Sequence, residues 1–201
     1  MVEIKQWDFV TPGIPDICFT KDNIPLTKEE VRCLTICKAR LKRNSIIYDI
    51  GAGTGSIAIE AALLAREGMV YAVEKEQRAA EIILKNAGKF GVNNLCVIQG
   101  EAPEALHELP AADRIIIGGS GKRLKDILIV AHAKLKAQGR VIINAVTMET
   151  LATSVQLLEA MALAEVSTCC LTVARVKQAG GSRIFQGLNP VFLVVGERGE
   201  P

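Results

Sequence analysis

Residues 46–62, "IIYDIGAGTGSIAIEAA", limit the fold more than any other stretch. A short apolar, β-prone run ends in an acidic residue, three alternate glycines follow, and the chain then takes up helical spacing. Four further β-rich runs have the same length and bias: "MVYAVE" (69–74), "LCVIQ" (95–99), "DRIIIG" (113–118) and "RVIINA" (140–145). Between them lie amphipathic helical windows. Ala80, Ile83, Ala87 and Phe90 share one face, closed by Gly91. Leu124, Ile127, Leu128, Ala131 and Leu135 share another, closed by Gly139. A third window, 148–162, repeats the spacing through Met148, Leu151, Ala152, Val155 and Leu158. Strand, helix, strand throughout means a parallel sheet with helices on both faces.

The end of the chain departs from that rhythm. "VSTCCLTVARV" (166–176) and "NPVFLVVG" (189–196) are separated only by "KQAGGSRIFQGL", too little for a helical crossover, so this pair is antiparallel. Five parallel strands followed by an antiparallel C-terminal hairpin give the outline of a class I methyltransferase sheet: α/β, seven-stranded and mostly parallel. A helix also precedes the first strand. "LTKEEVR" carries a capping box, with Thr27 at the N-cap and Glu30 at N3, and a staple of Leu26 on Val31, which predicts a helix from Lys28 to Lys42.

Composition serves mainly to exclude. The length of 201 residues suits one domain over 1–201, with 1–45 as a loop and helix bordering the cleft. A net charge of +2 is far from that of a strongly basic nucleic-acid binder. The opening "MVEIKQWDFVTPG" lacks a signal-peptide pattern, and no apolar run reaches the ~18 residues of a membrane span, so a cytoplasmic protein is expected. Six cysteines are scattered with no C-x-x-C pair, and His107 and His132 have no cysteine at metal-site spacing. Free buried thiols are expected, with no metal and no disulfide.

The glycine loop narrows the ligand. A phosphate loop of the G-x-x-x-x-G-K-[ST] kind needs a lysine that does not follow Gly55, and a dinucleotide loop would place its third glycine where Ser56 stands. The pattern Asp49-x-Gly51-x-Gly53-x-Gly55 instead resembles motif I of S-adenosylmethionine-dependent methyltransferases. That resemblance implies S-adenosyl-L-methionine as cofactor along Gly51, Ala52, Gly53, Thr54 and Gly55, with Asp49 organising the loop and the methionine ammonium. Glu74 ends the second run roughly 20 residues on, where a carboxylate accepts from both ribose hydroxyls. An NAD site would want the same acid, and a solvated strand-end carboxylate is its plainer reading. Glu101 and Ala102, after the third run, would flank the adenine.

For the methyl acceptor, "DRIIIGGSG" stands where nucleic-acid amino-methyltransferases carry [DN]-P-P-[YF], and one Trp, two Tyr and five Phe leave few stacking platforms for bases. Nucleic acid is not expected as a partner. Five segments, "GIPDICF" (13–19), "LTKEEVR" (26–32), "YDIGAGTGSIAIEAA" (48–62), "DRIIIGGSG" (113–121) and "NPVFLVVG" (189–196), resemble the cobalamin-pathway CbiT family. These are the decarboxylating precorrin-6B or cobalt-precorrin-6B C15-methyltransferases. The resemblance implies a carboxylate-rimmed tetrapyrrole methylated at C15 with loss of CO2 from the C12 acetate, Thr27 as a cofactor contact, and a homo-oligomer, specifically a tetramer. Any cobalt arrives in the substrate. Another class I methyltransferase, of a small molecule or tRNA, is the alternative.

No Ser–His–Asp or Cys–His set is present, which suits a carbon nucleophile activated by its own conjugated ring. What the protein must supply is positioning, carboxylate anchors and a proton route. Loop candidates are Asp16, Lys21, Arg123, Lys177 and Arg183; for each alone, an ordinary solvated charge is the simpler reading. Asp16 and Arg183 are the preferred catalytic pair. Arg183 is expected in a mobile glycine-bearing turn, 177–188, above the strand ends. Asn144, ending the fifth run, would orient the substrate, or serve only as a strand-end turn former.

Overall fold

The computed structural model describes residues 7–161 and 163–200. The five expected runs form β1 (Ile46–Ile50), β2 (Met69–Glu74), β3 (Leu95–Gln99), β4 (Ala112–Ile117) and β5 (Leu135–Ala145), all parallel, in spatial order β3-β2-β1-β4-β5. The order reverses between β1 and β4. At such a point the connections leave in opposite directions and open a crevice at the carboxyl ends of the strands.

Side-chain alternation sorts each strand between two helical layers. Ile47, Val70, Ala72, Ile116 and Ile142 pack beneath α1 (Glu29–Ala39), α2 (Ser56–Leu64) and α3 (Gln77–Lys89). Tyr48, Ile50, Ile115, Ile117, Val141 and Ile143 face α4 (Leu124–Lys134) and α5 (Met148–Ala160) through Leu124, Ile127, Leu128 and Leu158. Each fully buried isoleucine contributes about 1.5–3 kcal/mol, so burial on both faces fixes the register of the central strands. The expected helix at 148–162 ends at Ala160, and residue 162 lies outside the described residues.

One helix stop is misplaced by sequence. Gly139 does not close α4, which ends at Lys134 with Leu135 already extended. Gly139 instead allows a tight fold-back: a Cβ there would meet the Leu135 side chain and the Lys136 carbonyl at 2.7 Å. The burial of the thiols also differs from expectation. All six cysteines are free, but Cys37, Cys96 and Cys170 are exposed and only Cys18 is fully buried.

The C-terminal region is more elaborate than one hairpin. The run at 166–176 breaks into β6 (Ala164–Leu171) and β7 (Ala174–Ala179), and the expected turn contains β8 (Ser182–Gly187). β7 and β8 pair as a separate two-stranded arm, joined by Gly180 and Gly181, with Gly180 at φ +57°. The last strand, β9 (Val191–Glu197), enters the main sheet antiparallel between β5 and β6. Among the described residues the sheet thus has seven strands, mostly parallel, as anticipated.

Helix α1 begins differently from the expected capping box. Lys28, not Thr27, holds the N-cap position, without a side-chain cap bond. The competing demand comes from Arg32, which is fully buried and donates to the Thr27 carbonyl at 2.5 Å and to the Ile14 carbonyl. Glu30 turns to Arg175 instead of reaching back to the helix start. At the other end α1 stops at Ala39, short of Lys42. There the buried Arg114 of β4 donates to the Ala39 and Arg40 carbonyls, and Arg140 of β5 donates to that of Lys38 at 2.7 Å. Two cations thereby satisfy the orphan carbonyls at the negative end of the helix.

The N-terminal loop is clamped from below. Arg32 donates through Nε to Glu60 of α2 at 2.7 Å and lies over the Phe19 ring. Glu60 also accepts the backbone N–H groups of Gly13 and Ile14 at 3.0 and 2.9 Å. Asn86 of α3 completes the clamp: it accepts from the Thr20 N–H at 2.8 Å and donates to the Thr54 carbonyl at 3.0 Å, tying this loop to the glycine loop.

Candidate active site

A cleft of about 900 Å³ opens at the carboxyl ends of β1, β2, β4 and β5. Its floor is the glycine loop, from Asp49 to Gly53; one wall is Glu74 with Gly100, Glu101 and Ala102; another is residues 118–121; Thr27 and its neighbours 23–28 close a third. The far end is formed by Asn144, Val146, Leu171, Val173, Leu188, Asn189 and Val191.

Chain geometry explains why this floor needs glycine. Gly51 has φ +71°, and a Cβ there would meet the backbone of Gly119 at 2.5–2.8 Å, so the loops after β1 and β4 touch at this point. The backbone N–H groups of Gly51 and Ala52 donate to the Val73 carbonyl, and that of Gly118 to the Ile50 carbonyl. Gly55 serves another end. At φ +76° it precedes α2, and a Cβ would strike the Ile83 side chain at 2.8 Å, so it lets α2 approach α3.

The two acids of the motif are held differently. Glu74 accepts from the Gly53 N–H at 2.8 Å through one oxygen and from the Glu76 N–H at 3.0 Å through the other. A carboxylate has about four acceptor sites, so two remain for a ligand in the cleft. Asp49 is almost fully buried and accepts the Ala58 N–H at 3.0 Å. Burial pushes its carboxyl up to about 7, opposed by the Ala58 N–H and reinforced by the nearby Glu74 charge.

At the opposite end Asn144 is buried, and its Oδ1 lies 3.0 Å from the Thr35 hydroxyl of α1. Its Nδ2 has no hydrogen-bond partner among the described residues. Leaving an amide donor unpaired in a folded protein costs about 1–3 kcal/mol, and such an atom bordering a cleft marks a place for a ligand or a water.

A strand-end carboxylate with free acceptor sites, a glycine floor and an apolar far end meet in one cleft. Residues 17–197 match the precorrin methyltransferase domain. The chain belongs to that family. It is 37% identical, over 197 residues, to a probable cobalt-precorrin-6B C(15)-methyltransferase (decarboxylating) of Saccharolobus solfataricus, covering 96% of this chain and 99% of the relative. The solved structure of a precorrin-6Y C5,15-methyltransferase from Geobacter metallireducens superimposes with TM-score 0.88 at 36% identity, over 94% of this chain and 99% of that one. A precorrin-8W decarboxylase from Methanobacterium thermoautotrophicum gives 0.86 at 34% identity, over 91% and 98%.

In this precorrin methyltransferase domain the expected cofactor set divides. Thr27, Asp49, Gly51, Ala52, Gly53, Glu74, Glu101 and Ala102 border the cleft, whereas Thr54 and Gly55 do not. Thr54 is buried, its carbonyl held by Asn86 of α3, two residues before α2 begins.

The expected catalytic set divides too. Asn144 borders the cleft; Asp16, Arg183, Lys21, Arg123 and Lys177 do not. Asp16 faces arginine instead, with Arg32 at 3.4 Å and Arg175 at 3.1 Å. Arg183 lies within β8, opposite Gln178 and exposed, rather than in a turn over the strand ends. The physical reason is that 177–188 has strand partners of its own. A two-residue Gly-Gly loop between β-prone runs is a hairpin signal, and it was present in the sequence. Arg123 forms a two-pronged pair with Glu104, both contacts at 2.7 Å. Sequence reasoning missed Lys28, which borders the cleft, and the structural trio Arg32, Glu60 and Asn86. Nothing local marks those three, since the contacts that tie them together and to the glycine loop span 28 residues for Arg32 to Glu60 and 32 and 66 for Asn86.

Proposed function

We propose that this chain uses S-adenosyl-L-methionine to methylate C15 of cobalt-precorrin-6B, with loss of the C12 acetate carboxyl as CO2. The observation that carries this reading is the division of one cleft into two unlike ends. The end at Glu74 holds carboxylates, Asp49, Glu74, Glu76 and Glu101, which suit a cofactor bearing a ribose diol, an ammonium and a sulfonium. The end at Asn144 is apolar and amide-lined, and Lys28 borders another wall of the same cleft, which together suit a broad conjugated ring edged with carboxylates. Glu74 and Asn144 stand three strands apart, roughly 14 Å at ordinary strand spacing, room for a cofactor beside an acceptor.

The cofactor supplies an electrophilic methyl group on its sulfonium. The chain's residues bind and align. Glu74, oriented by two backbone N–H groups, accepts from the ribose hydroxyls. Asp49 offsets positive charge above the glycine floor. The close contact of Gly51 with Gly119 leaves no side chain between cofactor and acceptor. Asn144 orients the ring, and Lys28 pairs with a peripheral carboxylate. In-line transfer between held partners draws its acceleration from positioning, so no protein nucleophile is required. Among the described residues no cluster of His, Cys, Asp and Glu is arranged for a metal ion, and no helix is long and apolar enough to cross a membrane.

The test is direct. Purified protein is incubated with S-adenosyl-L-methionine and cobalt-precorrin-6B, or its metal-free counterpart, and the product is read by mass spectrometry. Gain of one methyl with loss of one CO2 is expected; methylation of tRNA with neither tetrapyrrole altered would overturn the assignment. Lys28→Ala should lower turnover of the tetrapyrrole about 10- to 100-fold, the scale of one charged hydrogen bond, while Arg183→Ala leaves it unchanged. The reverse order of effects would move the carboxylate anchor to the arm.

A further inference from the structure

We infer that Thr35, on α1 and outside the glycine loop, is a positioning residue that sets which end of the Asn144 amide is offered to the methyl acceptor. The inference rests on the acceptor site proposed above. Thr35 is fully buried, and its hydroxyl lies 2.8 Å from the Val31 carbonyl and 3.0 Å from Asn144 Oδ1. A hydroxyl has one proton, so it donates to one of the two. The Val31 carbonyl already sits in the hydrogen-bond ladder of α1, four residues before Thr35. Asn144 Oδ1 has no donor but Thr35 among the described residues. Given to Asn144, that proton holds the amide oxygen and leaves Nδ2, which has no partner among the described residues, as the group offered to a ligand.

That makes Asn144 a fixed donor, suited to an oxygen of the substrate rather than to a ring N–H. It also gives α1 a part in the chemistry. The helix is anchored at one end by Arg114 and Arg140 and at the other by Arg32, none of which lines the cleft, so the Thr35 hydroxyl is held from outside it. Without it the amide can rotate about its last bond and present oxygen instead of nitrogen.

The experiment is a double-mutant cycle on the purified enzyme with cobalt-precorrin-6B, with cofactor affinity measured separately by calorimetry. Thr35→Val keeps the shape and removes the proton; it should lower kcat/KM for the acceptor about tenfold, with cofactor affinity unchanged. Thr35→Ser should restore the rate, and adding Thr35→Val to Asn144→Ala should change nothing further. Additive losses in the double variant would overturn the inference, as would a Thr35→Ser enzyme as slow as Thr35→Val. If Thr35→Val does not fold, Thr35→Ser against wild type still decides, because loss of acceptor rate with the hydroxyl retained contradicts the inference. A wild-type enzyme that binds cofactor but ignores the tetrapyrrole would overturn the acceptor site and this inference with it, whereas normal wild-type turnover with additive losses would overturn this inference alone.

Discussion

At the scale of single residues the site depends on how two carboxylates are held. Glu74 has both oxygens engaged by backbone N–H groups yet keeps acceptor sites toward the cleft. Glu74→Ala should lose about 1.5–3 kcal/mol of cofactor binding per charge-assisted hydrogen bond, measured by calorimetry; unchanged affinity would remove Glu74 from the ribose end. Asp49 gives a pH signature. Burial raises its folded pKa to about 7, so the folded state holds this proton more tightly than the unfolded chain does. Its contribution to stability is full below about pH 3.9 and is lost as pH rises through about 7. A cation bound above it favours the carboxylate, so cofactor binding near pH 6.5 should release a proton and tighten as pH rises toward about 7.5. Calorimetry in buffers of different ionisation enthalpy reads that proton directly. Asp49→Asn should bind more weakly and release none; equal release from both proteins would assign the proton elsewhere.

At the scale of elements, the N-terminal loop and α1 depend on one buried ion pair. Arg32 and Glu60 hold each other and five backbone groups or rings around them, with neither side chain reaching solvent. Arg32→Met should cost about 3–5 kcal/mol, because it leaves Glu60 as an uncompensated buried charge. Urea denaturation measures this. A loss under about 1 kcal/mol would mean that the loop closes on the cleft without the pair. The same elements govern the arm. Arg175, at the start of β7, forms two contacts with Glu30, at 2.6 and 2.9 Å, and meets Asp16 at 3.1 Å. Those contacts keep the Glu30 carboxyl below its ordinary range and fix the root of an arm that otherwise stands apart.

At the scale of the whole molecule the arm exposes apolar surface. Val176 and Phe185 are cross-strand partners on one face, 60% and 80% exposed, and Ile184 lies on the other at 47%. Two strands alone are marginally stable in water, and a projecting apolar pair calls for cover. The tetramer implied by the family resemblance would provide it. Light scattering at micromolar concentration should find an assembly larger than a monomer, and Phe185→Asp should shift it toward smaller species. A wild-type monomer would leave the arm uncovered and the tetramer without support.

What was legible in the sequence was set by local periodicity. Apolar runs of strand length, helical spacing between them and the glycine loop specify the parallel core, since each depends only on neighbours in the chain. Glu74 was legible as a cleft carboxylate because its position at the end of β2 depends only on the strand run that precedes it. Tertiary structure decided the rest, wherever a long-range partner outbid a local signal. The capping box at Thr27 gave way because the buried Arg32 guanidinium needs the Thr27 carbonyl and Arg175 takes Glu30. Asp16 lies outside the cleft, held by two arginines, one 16 and one 159 residues away. Arg183 was carried off on β8 once 177–188 paired with itself. Asn144 was named from its position, but its unpaired donor comes from a contact with Thr35 across 109 residues, which only the folded chain creates.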